Sequence, residues 1–288
     1  MKFLTRKKSP DSEANKSQRI TQSKKGKSVI LSVIDKRKAF VIGMIVLSLG
    51  LFFAEFQFEK AGVVVAIILG LLTDLILYWA IREDLKENFS IELFILPFFY
   101  SLAFTLFYFL LPTRIIIRLV LTSLYAFGLY SLFLSENIFT VGAIRTIALL
   151  SGARIVSFVL TLISYFFLTN ILFSLHLWIF FTIPLLAIYT YPLVYQALWT
   201  YDLQKLIPSI KVWAAVISLC ILELGIAVWF WPSSPTVIAL SLAGFLYTLV
   251  GLSHVWFEKK LFRSVLWEYV WVGVIVVFVL LLFTSWGK

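Results

Sequence analysis

Two carboxylic acids stand in the middle of long apolar runs of the sequence. Asp74 lies in GLLTDLILYW and Glu223 lies in SLCILELGIA, and they are the two acids placed deepest in such runs. A charged side chain inside a bilayer is costly unless it is paired or hydrated, so such acids are functional candidates by default. Together they could carry protons or bind a cation. Alternatively, either acid could be protonated, or hydrogen-bonded to a neighbouring helix as a structural contact.

A second candidate is the run FTIPLLAIYTYPLVYQALWTY, which is rich in proline and tyrosine. Pro184 and Pro192 each remove a backbone hydrogen bond and can kink a helix. Tyr189, Tyr191 and Tyr195 cluster around the second proline. The carbonyl groups freed in a broken helix are tolerated where they face water or a ligand, so this run could form the wall of a substrate cavity. Prolines are also common in membrane helices that have no such role.

The most polar internal stretch is LSENIFTVGAIRTIALLSGARIVSFVL. Glu136 and the serine before it are typical of a helix cap. The run 137–168 would be about 48 Å long as one helix, which is too long for a single crossing. We therefore predict an amphipathic helix over 137–150 at the membrane surface, followed by a span that begins near Ser151.

Two arginines in this stretch could bind an anion. Arg145 and Arg154 are nine residues apart in the sequence. They could fix a phosphate or a lipid headgroup, or pair with Glu136. The alternative is that they are ordinary positive charges on the inner face of a membrane protein.

No motif in the sequence indicates catalysis, a cofactor or a metal. His176 and His254 lie near opposite ends of their runs, and the single cysteine, Cys220, is inside an apolar run, so these residues predict no shared metal site. The phosphate-binding pattern GxxxxGK[ST] is absent. We expect no catalytic residues, no cofactor and no metal.

The elements that must position these residues are membrane-spanning helices. Hydrophobic residues make up 61% of the chain and charged residues 14%, whereas soluble domains average about 25% charged. The apolar runs are continuous and close to the ~20 residues that a helix needs to cross a bilayer. We predict an all-α, polytopic transmembrane helix bundle with spans near 39–58, 62–81, 91–111, 115–134, 151–169, 174–200, 211–230, 236–256 and 265–285.

The distribution of lysine and arginine predicts the orientation of this bundle. Most basic residues lie in the N-terminal tail and in the even-numbered loops, for example Arg82, Lys205 and Arg263, whereas the opposite loops hold few, such as Lys60 and Arg114. Basic residues accumulate on the cytoplasmic side of membrane proteins. We therefore expect the N-terminus inside and the C-terminus outside.

Two domains follow from the composition. Residues 1–38 are polar and rich in lysine and serine, which predicts a disordered basic cytoplasmic tail, and 39–288 form the transmembrane helical domain. The tail could attach to anionic lipid headgroups at the cytoplasmic face, or could serve only as an orientation signal. The expected partners are the lipid bilayer and these headgroups, with no nucleic acid.

The segments ENIFTVGAIRTIALL and ARIVSFVLTLISYFF resemble uncharacterised multi-pass membrane proteins of candidate-phyla bacteria. This resemblance implies a bacterial plasma membrane and no established activity. It supplies no catalytic residues.

The number of spans, the length and the topology are also similar to intramembrane aromatic prenyltransferases. That family holds Mg²⁺ and a diphosphate with Asp-rich motifs in the loops after spans two and six. Here the first loop, REDLKENFS, offers Glu83, Asp84 and Glu87, and the second, TYDLQKLIPS, offers Asp202 alone. The NDxxD pattern is absent, and two hard cations need several oxygen ligands. The resemblance therefore implies the shape more than the activity.

Three functions remain from these patterns. The intramembrane acids and the proline-containing span favour a small-molecule or lipid-handling protein of transporter type. The short loops, the basic tail and the arginines favour a non-catalytic membrane scaffold or assembly subunit. An intramembrane enzyme similar to the prenyltransferases is a third possibility.

Overall fold

The described part of the chain is built from nine apolar α-helices. A computed structural model describes residues 36–54, 61–85, 90–111, 114–142, 149–203, 209–259 and 262–284. The helices are α1 (Lys36–Ala54), α2 (Gly62–Leu85), α3 (Ile95–Leu110), α4 (Ile115–Gly142), α5 (Leu150–Ser174), α6 (Ile179–Trp199), α7 (Ile210–Trp229), α8 (Pro235–Phe257) and α9 (Arg263–Leu282), with a 3₁₀ helix (Ile91–Phe94) before α3. Each of the nine spans is long and apolar enough to cross a membrane. The predicted all-α, multi-pass bundle is therefore confirmed.

Successive helices run in opposite directions, so their ends meet at two levels. Near the start of α5, Arg154 Nε donates to the carbonyl oxygen of Thr200, which directly follows α6, at 2.9 Å. At the opposite level, Trp229 Nε1 at the end of α7 donates to the carbonyl oxygen of Leu177, just before α6, at 3.3 Å. We call the level at which α2, α4, α6 and α8 end the basic end, and the other level the far end.

The core is organised around α5, and α9 lies at its edge. α5 packs against α3, α4, α6 and α8, whereas α9 packs mainly against α8. Leu280 is the single buried residue in α9. A helix with so few protein neighbours presents most of its apolar surface to lipid, and it is the least constrained of the described spans.

The polar stretch after the fourth span does not start a new helix, and this prediction is wrong for 137–142. α4 continues unbroken to Gly142, and Glu136 lies inside it and is completely buried. Polar side chains do not end the helix because they find partners within the bundle or one turn back; Thr140 Oγ1, for example, donates to the carbonyl oxygen of Glu136 at 2.9 Å. The rest of the predicted surface helix, 143–148 with Arg145, lies outside the described residues.

The connection between the fifth and sixth spans was also placed wrongly. The predicted spans 151–169 and 174–200 put the connection just after 169, but Thr169 and Asn170 are buried inside α5, where the Asn170 amide donates to Thr236 of α8 at 3.0 Å. The chain turns instead around His176, whose φ of 48° is a left-handed conformation that cannot continue a helix.

The predicted basic tail lies almost entirely outside the described residues. Its last three residues, from Lys36 to Lys38, form the first turn of α1. Beyond that turn, the tail remains a prediction.

Candidate functional site

The two acids singled out from the sequence lie on different parts of the bundle. α2, which carries Asp74, packs mainly against α3 and α4, whereas α7, which carries Glu223, packs mainly against α6 and α8. Asp74 is half-buried and faces inward, but Glu223 is exposed on the outer face of α7. The acid on a helix that packs against α2 is Glu136, which is completely buried inside α4.

Glu136 forms the centre of a buried polar cluster with α5 and α6. Its Oε1 accepts a hydrogen bond from Gln196 Nε2 at 3.4 Å, and the same amide nitrogen lies 3.4 Å from Ser157 Oγ. All three side chains are almost completely inaccessible to solvent. Within the described part of the chain, Glu136 Oε2 and Gln196 Oε1 have no hydrogen-bond partner. The cluster therefore presents buried acceptor oxygens without enough donors to satisfy them.

The sequence contained a signal for this cluster that was interpreted differently. Glu136 has helical spacing with the apolar positions 129, 132, 133 and 139, all of which are buried. That spacing places the acid on the packed face of α4. The preceding serine suggested a helix cap instead, so Glu136 was assigned to the membrane surface.

A chain of buried hydroxyl groups begins next to Asp74. Thr73 Oγ1 lies 2.7 Å from Ser101 Oγ, and Ser101 Oγ lies 3.0 Å from the hydroxyl of Tyr125. Tyr100 stacks on Tyr125 and donates its own hydroxyl to the Tyr125 carbonyl oxygen at 3.2 Å. Three helices, α2, α3 and α4, are thus joined by side-chain hydrogen bonds deep inside the bundle.

Arg154 lies in a second polar cluster, at the surface of the basic end. Besides its bond to the Thr200 carbonyl, its Nη1 is 3.8 Å from Glu258 Oε1, and its guanidinium lies 4.4 Å above the ring of Tyr201. Burial, more than the nearby carboxylate of Glu258, raises the pKa of Tyr201 to about 12, so its hydroxyl stays protonated at neutral pH. This placement differs from the proposed pairing of Arg154 with Glu136.

An apolar groove of about 430 Å³ extends from the middle of the bundle towards the far end. It is formed by α5, α8 and α9, and its lining is almost entirely apolar; the lining residues that carry a hydroxyl group are Ser241 and Tyr247. Ser241 is buried, and its Oγ has no hydrogen-bond partner among the described residues. The groove is lined by Leu162, Phe166, Ser241, Tyr247, Val276 and Val279, among others.

Aromatic contacts connect the groove to Arg154. Tyr247, which lines the groove, stacks on Phe158 with ring centroids 5.9 Å apart. Phe158 meets the ring of His254 at 5.1 Å, and His254 stacks on Tyr201 at 4.0 Å, beneath the Arg154 guanidinium. An amphipathic molecule could therefore have its chain in the groove and a charged group at Arg154.

The family model whose description is "Protein of unknown function (DUF5656)" matches residues 38–283. This match covers the described spans almost from end to end. The chain belongs to the DUF5656 family. No match was found among curated proteins or among solved structures.

The DUF5656 family match agrees with the resemblance to uncharacterised membrane proteins. It carries no activity and no source organism, so the bacterial origin and the plasma membrane remain predictions. The sites described above are therefore interpreted from their own geometry.

The predicted cavity wall of this DUF5656 chain is divided between two faces of α6. Tyr189 points into the bundle, and its hydroxyl lies 3.0 Å from Thr169 Oγ1, whereas Tyr191 is exposed and stacks on Tyr195. Tyr195 donates its hydroxyl to Glu92 at 2.9 Å. Pro184 and Pro192 both lie inside a helix that continues through them. The groove of α5, α8 and α9 involves none of these residues.

The loops compared with the prenyltransferase motifs give no metal-binding geometry in the described residues. Asp202 is buried just after α6, while Glu87 and the side chains of Glu83 and Asp84 lie outside the described residues. Among the side chains that are described, no group of three or more His, Cys, Asp and Glu comes together.

Proposed function

We propose that the protein binds an anionic lipid, with the apolar chain in the groove of α5, α8 and α9 and the headgroup near Arg154. The observation that supports this most directly is the groove itself, whose volume of about 430 Å³ is within the range of ligand sites and whose lining is apolar. The function is then lipid handling within the bilayer, meaning the holding or transfer of a single lipid.

The charges around the groove favour an anionic headgroup. Arg154 lies at the end of the aromatic series, and Lys259 and Arg263 are exposed at the turn between α8 and α9. A basic residue near a membrane surface attracts anionic lipid by about 1 kcal/mol. Along α5, Arg154 is about 12 Å from Leu162 of the groove lining, a distance that a lipid glycerol and its first methylene groups can bridge.

The packing of α9 would let a lipid enter from the side. α8 and α9 approach closely where Gly244 faces Val276 and Gly251 faces Tyr269. Away from these points α9 is largely exposed. A small displacement of α9 would therefore widen the groove without disturbing the core around α5.

Photo-crosslinking tests this proposal. A phospholipid with a photoreactive group on its acyl chain is added to the purified protein, and the labelled peptides are identified. We expect labelling concentrated in α5, α8 and α9, and a large reduction in Val279→Trp, which fills the groove. Val216→Trp on the exposed face of α7 is the matched control and should keep the labelling. Labelling spread evenly over all lipid-facing helices would show ordinary bilayer contact and refute a specific site.

The second candidate, an assembly subunit, is favoured by Glu223. Its carboxyl group is exposed mid-span on an apolar helix face, between Leu219 and Ile226, and no described residue bonds to it. Since an unpaired acid facing lipid is costly, a partner helix with a basic or hydroxyl side chain would stabilise it there. Cross-linking and mass measurement in mild detergent, on the unmodified protein and on Glu223→Leu, separate the lipid-handling function from the assembly-subunit function. A partner protein that is bound to the unmodified protein and lost in Glu223→Leu supports a subunit. A monomer in both proteins contradicts a subunit.

We further propose that the basic end faces the cytoplasm of a bacterial-type plasma membrane. This is supported by the basic residues that the structure describes at that end, including Lys36, Arg82 and Lys211, against Arg114 and Arg118 at the far end. Thiol labelling of whole cells in a Cys220→Ser background tests it. A membrane-impermeant reagent should label Ser234→Cys at the far end and leave Ser264→Cys at the basic end unlabelled; the reverse pattern would overturn the orientation.

A further inference from the structure

We infer that Glu136 is a proton-binding group inside the bundle, with Asp74 as its partner acid and the hydroxyl chain Thr73–Ser101–Tyr125 as its continuation into the membrane. This site is separate from the lipid groove. Ser157, which borders Glu136, and Phe166, which lines the groove, are about two and a half helical turns apart and so lie on opposite faces of α5.

The surroundings of Glu136 do not neutralise a carboxylate. Its only hydrogen-bond donor in the described residues is the amide of Gln196, at the long distance of 3.4 Å and shared with Ser157. No described side chain forms an ion pair with it. An uncompensated carboxylate in an apolar interior is far less stable than the neutral acid. The described residues therefore leave a single positive charge missing at this place.

The unpaired atoms indicate that this charge is a proton. Glu136 Oε2, Gln196 Oε1 and Asp74 Oδ1 are buried oxygens without a partner in the described part of the chain. A proton taken from water converts the Glu136 carboxylate into a carboxylic acid, whose O–H supplies a donor to a group of surplus acceptors. An alkali cation would instead need several oxygen ligands converging on one point, and the contacts of Glu136 are with a nitrogen, Gln196 Nε2.

The neighbouring charged groups are occupied elsewhere or have the same sign. On the elements around Glu136, the described titratable or charged groups are Lys36, Arg37 and Lys38 of α1, Asp74, Tyr78 and Arg82 of α2, Glu92 of the 3₁₀ helix, Tyr100 and Tyr108 of α3, Arg118, Tyr125 and Tyr130 of α4, Arg154 and Tyr165 of α5, and Tyr189, Tyr191 and Tyr195 of α6. Of the basic groups, Arg37, Lys38 and Arg82 are exposed at the ends of their helices, and Arg118 is at the distant end of α4. Arg154 is engaged by Thr200 and Glu258, and Glu92 accepts a hydrogen bond from Tyr195. Asp74 lies on α2, which packs against α4, and its Oδ1 is buried without a hydrogen-bond partner in the described residues. Two acids in one apolar region cannot both ionise easily, so they would hold a proton between them.

The depth of the site provides a path from one surface. Glu136 is six residues, or about 9 Å, from the end of α4 at the basic end, whereas Asp74 is about 16 Å from the end of α2. A proton entering at the basic end would meet Glu136 first and Asp74 second. The hydroxyls of Thr73, Ser101 and Tyr125 are in hydrogen-bond contact with one another and begin at the residue before Asp74 in α2. Linked carboxyl and hydroxyl groups of this kind are how membrane proteins relay protons.

Infrared difference spectroscopy of the full chain in lipid vesicles tests the inference. Spectra recorded at different pH values report the carbonyl stretch of protonated carboxyl groups, which shifts in D₂O. We expect a pH-dependent band that is lost in Glu136→Gln and whose midpoint moves by about one pH unit in Asp74→Asn, because a charged neighbour has been removed. Glu223→Gln is the matched control, since it makes the same substitution on the exposed face of α7 and should leave this band unchanged.

Two results would overturn the inference. One is a band that persists in a folded Glu136→Gln protein, as judged by an unchanged helical circular dichroism spectrum. The other is a signal that responds to sodium at constant pH, which would make the ligand a metal cation. If Glu136→Gln does not fold, the Asp74→Asn variant still tests the pair. A band whose midpoint is the same in Asp74→Asn as in the unmodified protein would show that the two acids do not share a proton.

Discussion

The polar cluster of α4, α5 and α6 and the apolar groove of α5, α8 and α9 differ in how their helices pack. In the cluster and the adjoining hydroxyl chain, buried polar groups bond across helices, and Tyr100 and Tyr125 stack over a glycine, Gly128. In the groove, Ser241 has no partner in the described residues and space remains unfilled. The first region is held in one arrangement, while the second can open. The difference teaches that one bundle can contain both a fixed polar site and an adaptable apolar site, which lie on opposite faces of α5.

The largest expected effect comes from adding a methyl group at the two glycines of these regions. Gly128→Ala would force its Cβ onto the Tyr100 ring, which hydrogen bonds and stacking hold in place, so we expect a loss of about 1–3 kcal/mol of unfolding free energy. Gly244→Ala meets Val276 on α9, which can move outward, so its cost should be clearly smaller.

Unfolding in one detergent, with Gly152→Ala as the control, measures this difference. Gly152 has nothing within 4 Å of an added Cβ. Its substitution should be neutral or slightly stabilising. Equal losses at Gly128 and Gly244 would mean that the groove is packed as rigidly as the hydroxyl chain.

The next effect compares two buried serines. Ser101→Ala removes the hydroxyl between Thr73 and Tyr125 and should cost about 1–3 kcal/mol, because buried groups lose a partner. Ser241→Ala removes a hydroxyl that has no partner and should leave stability unchanged or slightly higher. A large loss at Ser241 would show that its hydroxyl is satisfied in the membrane, by a lipid or by water.

The sequence predicted the nine spans because apolar runs of membrane length leave few alternatives. It misplaced Glu136 because the serine and glutamate before 137 have the composition of a helix cap, and only the partners on α5 and α6 show that the helix continues. The sequence identified Asp74 as a candidate acid, but it did not identify Glu136 as the second acid of the buried region. Which residues of two helices meet depends on rotation and packing, and apolar runs that are hydrophobic on all sides carry little information about rotation.

The groove could not be predicted for the same reason. Its lining residues are ordinary leucine, valine and phenylalanine in three spans that are distant in sequence. By contrast, the proline- and tyrosine-rich run was conspicuous in sequence. Its side chains are distributed around α6, with Tyr189 inside and Tyr191 outside.

The smallest expected effect concerns the headgroup. Arg154→Gln should weaken retention of an anionic lipid by about fivefold, equivalent to about 1 kcal/mol, and added salt should reduce the difference. Lys211→Gln, which removes an exposed charge at the same end but on α7, is the matched control. Lipid retained after detergent exchange, quantified by mass spectrometry, measures the effect. Equal losses in the two variants would mean that only the overall charge of the basic end matters.

The central claim is that lipid binding belongs to the groove and not to the polar cluster. Native mass spectrometry of the protein released from lipid nanodiscs tests it most directly. The account predicts a bound lipid on the unmodified protein and on Glu136→Gln, and its loss in Val279→Trp. A lipid that remains on Val279→Trp, or that is lost from a folded Glu136→Gln protein, would contradict the account.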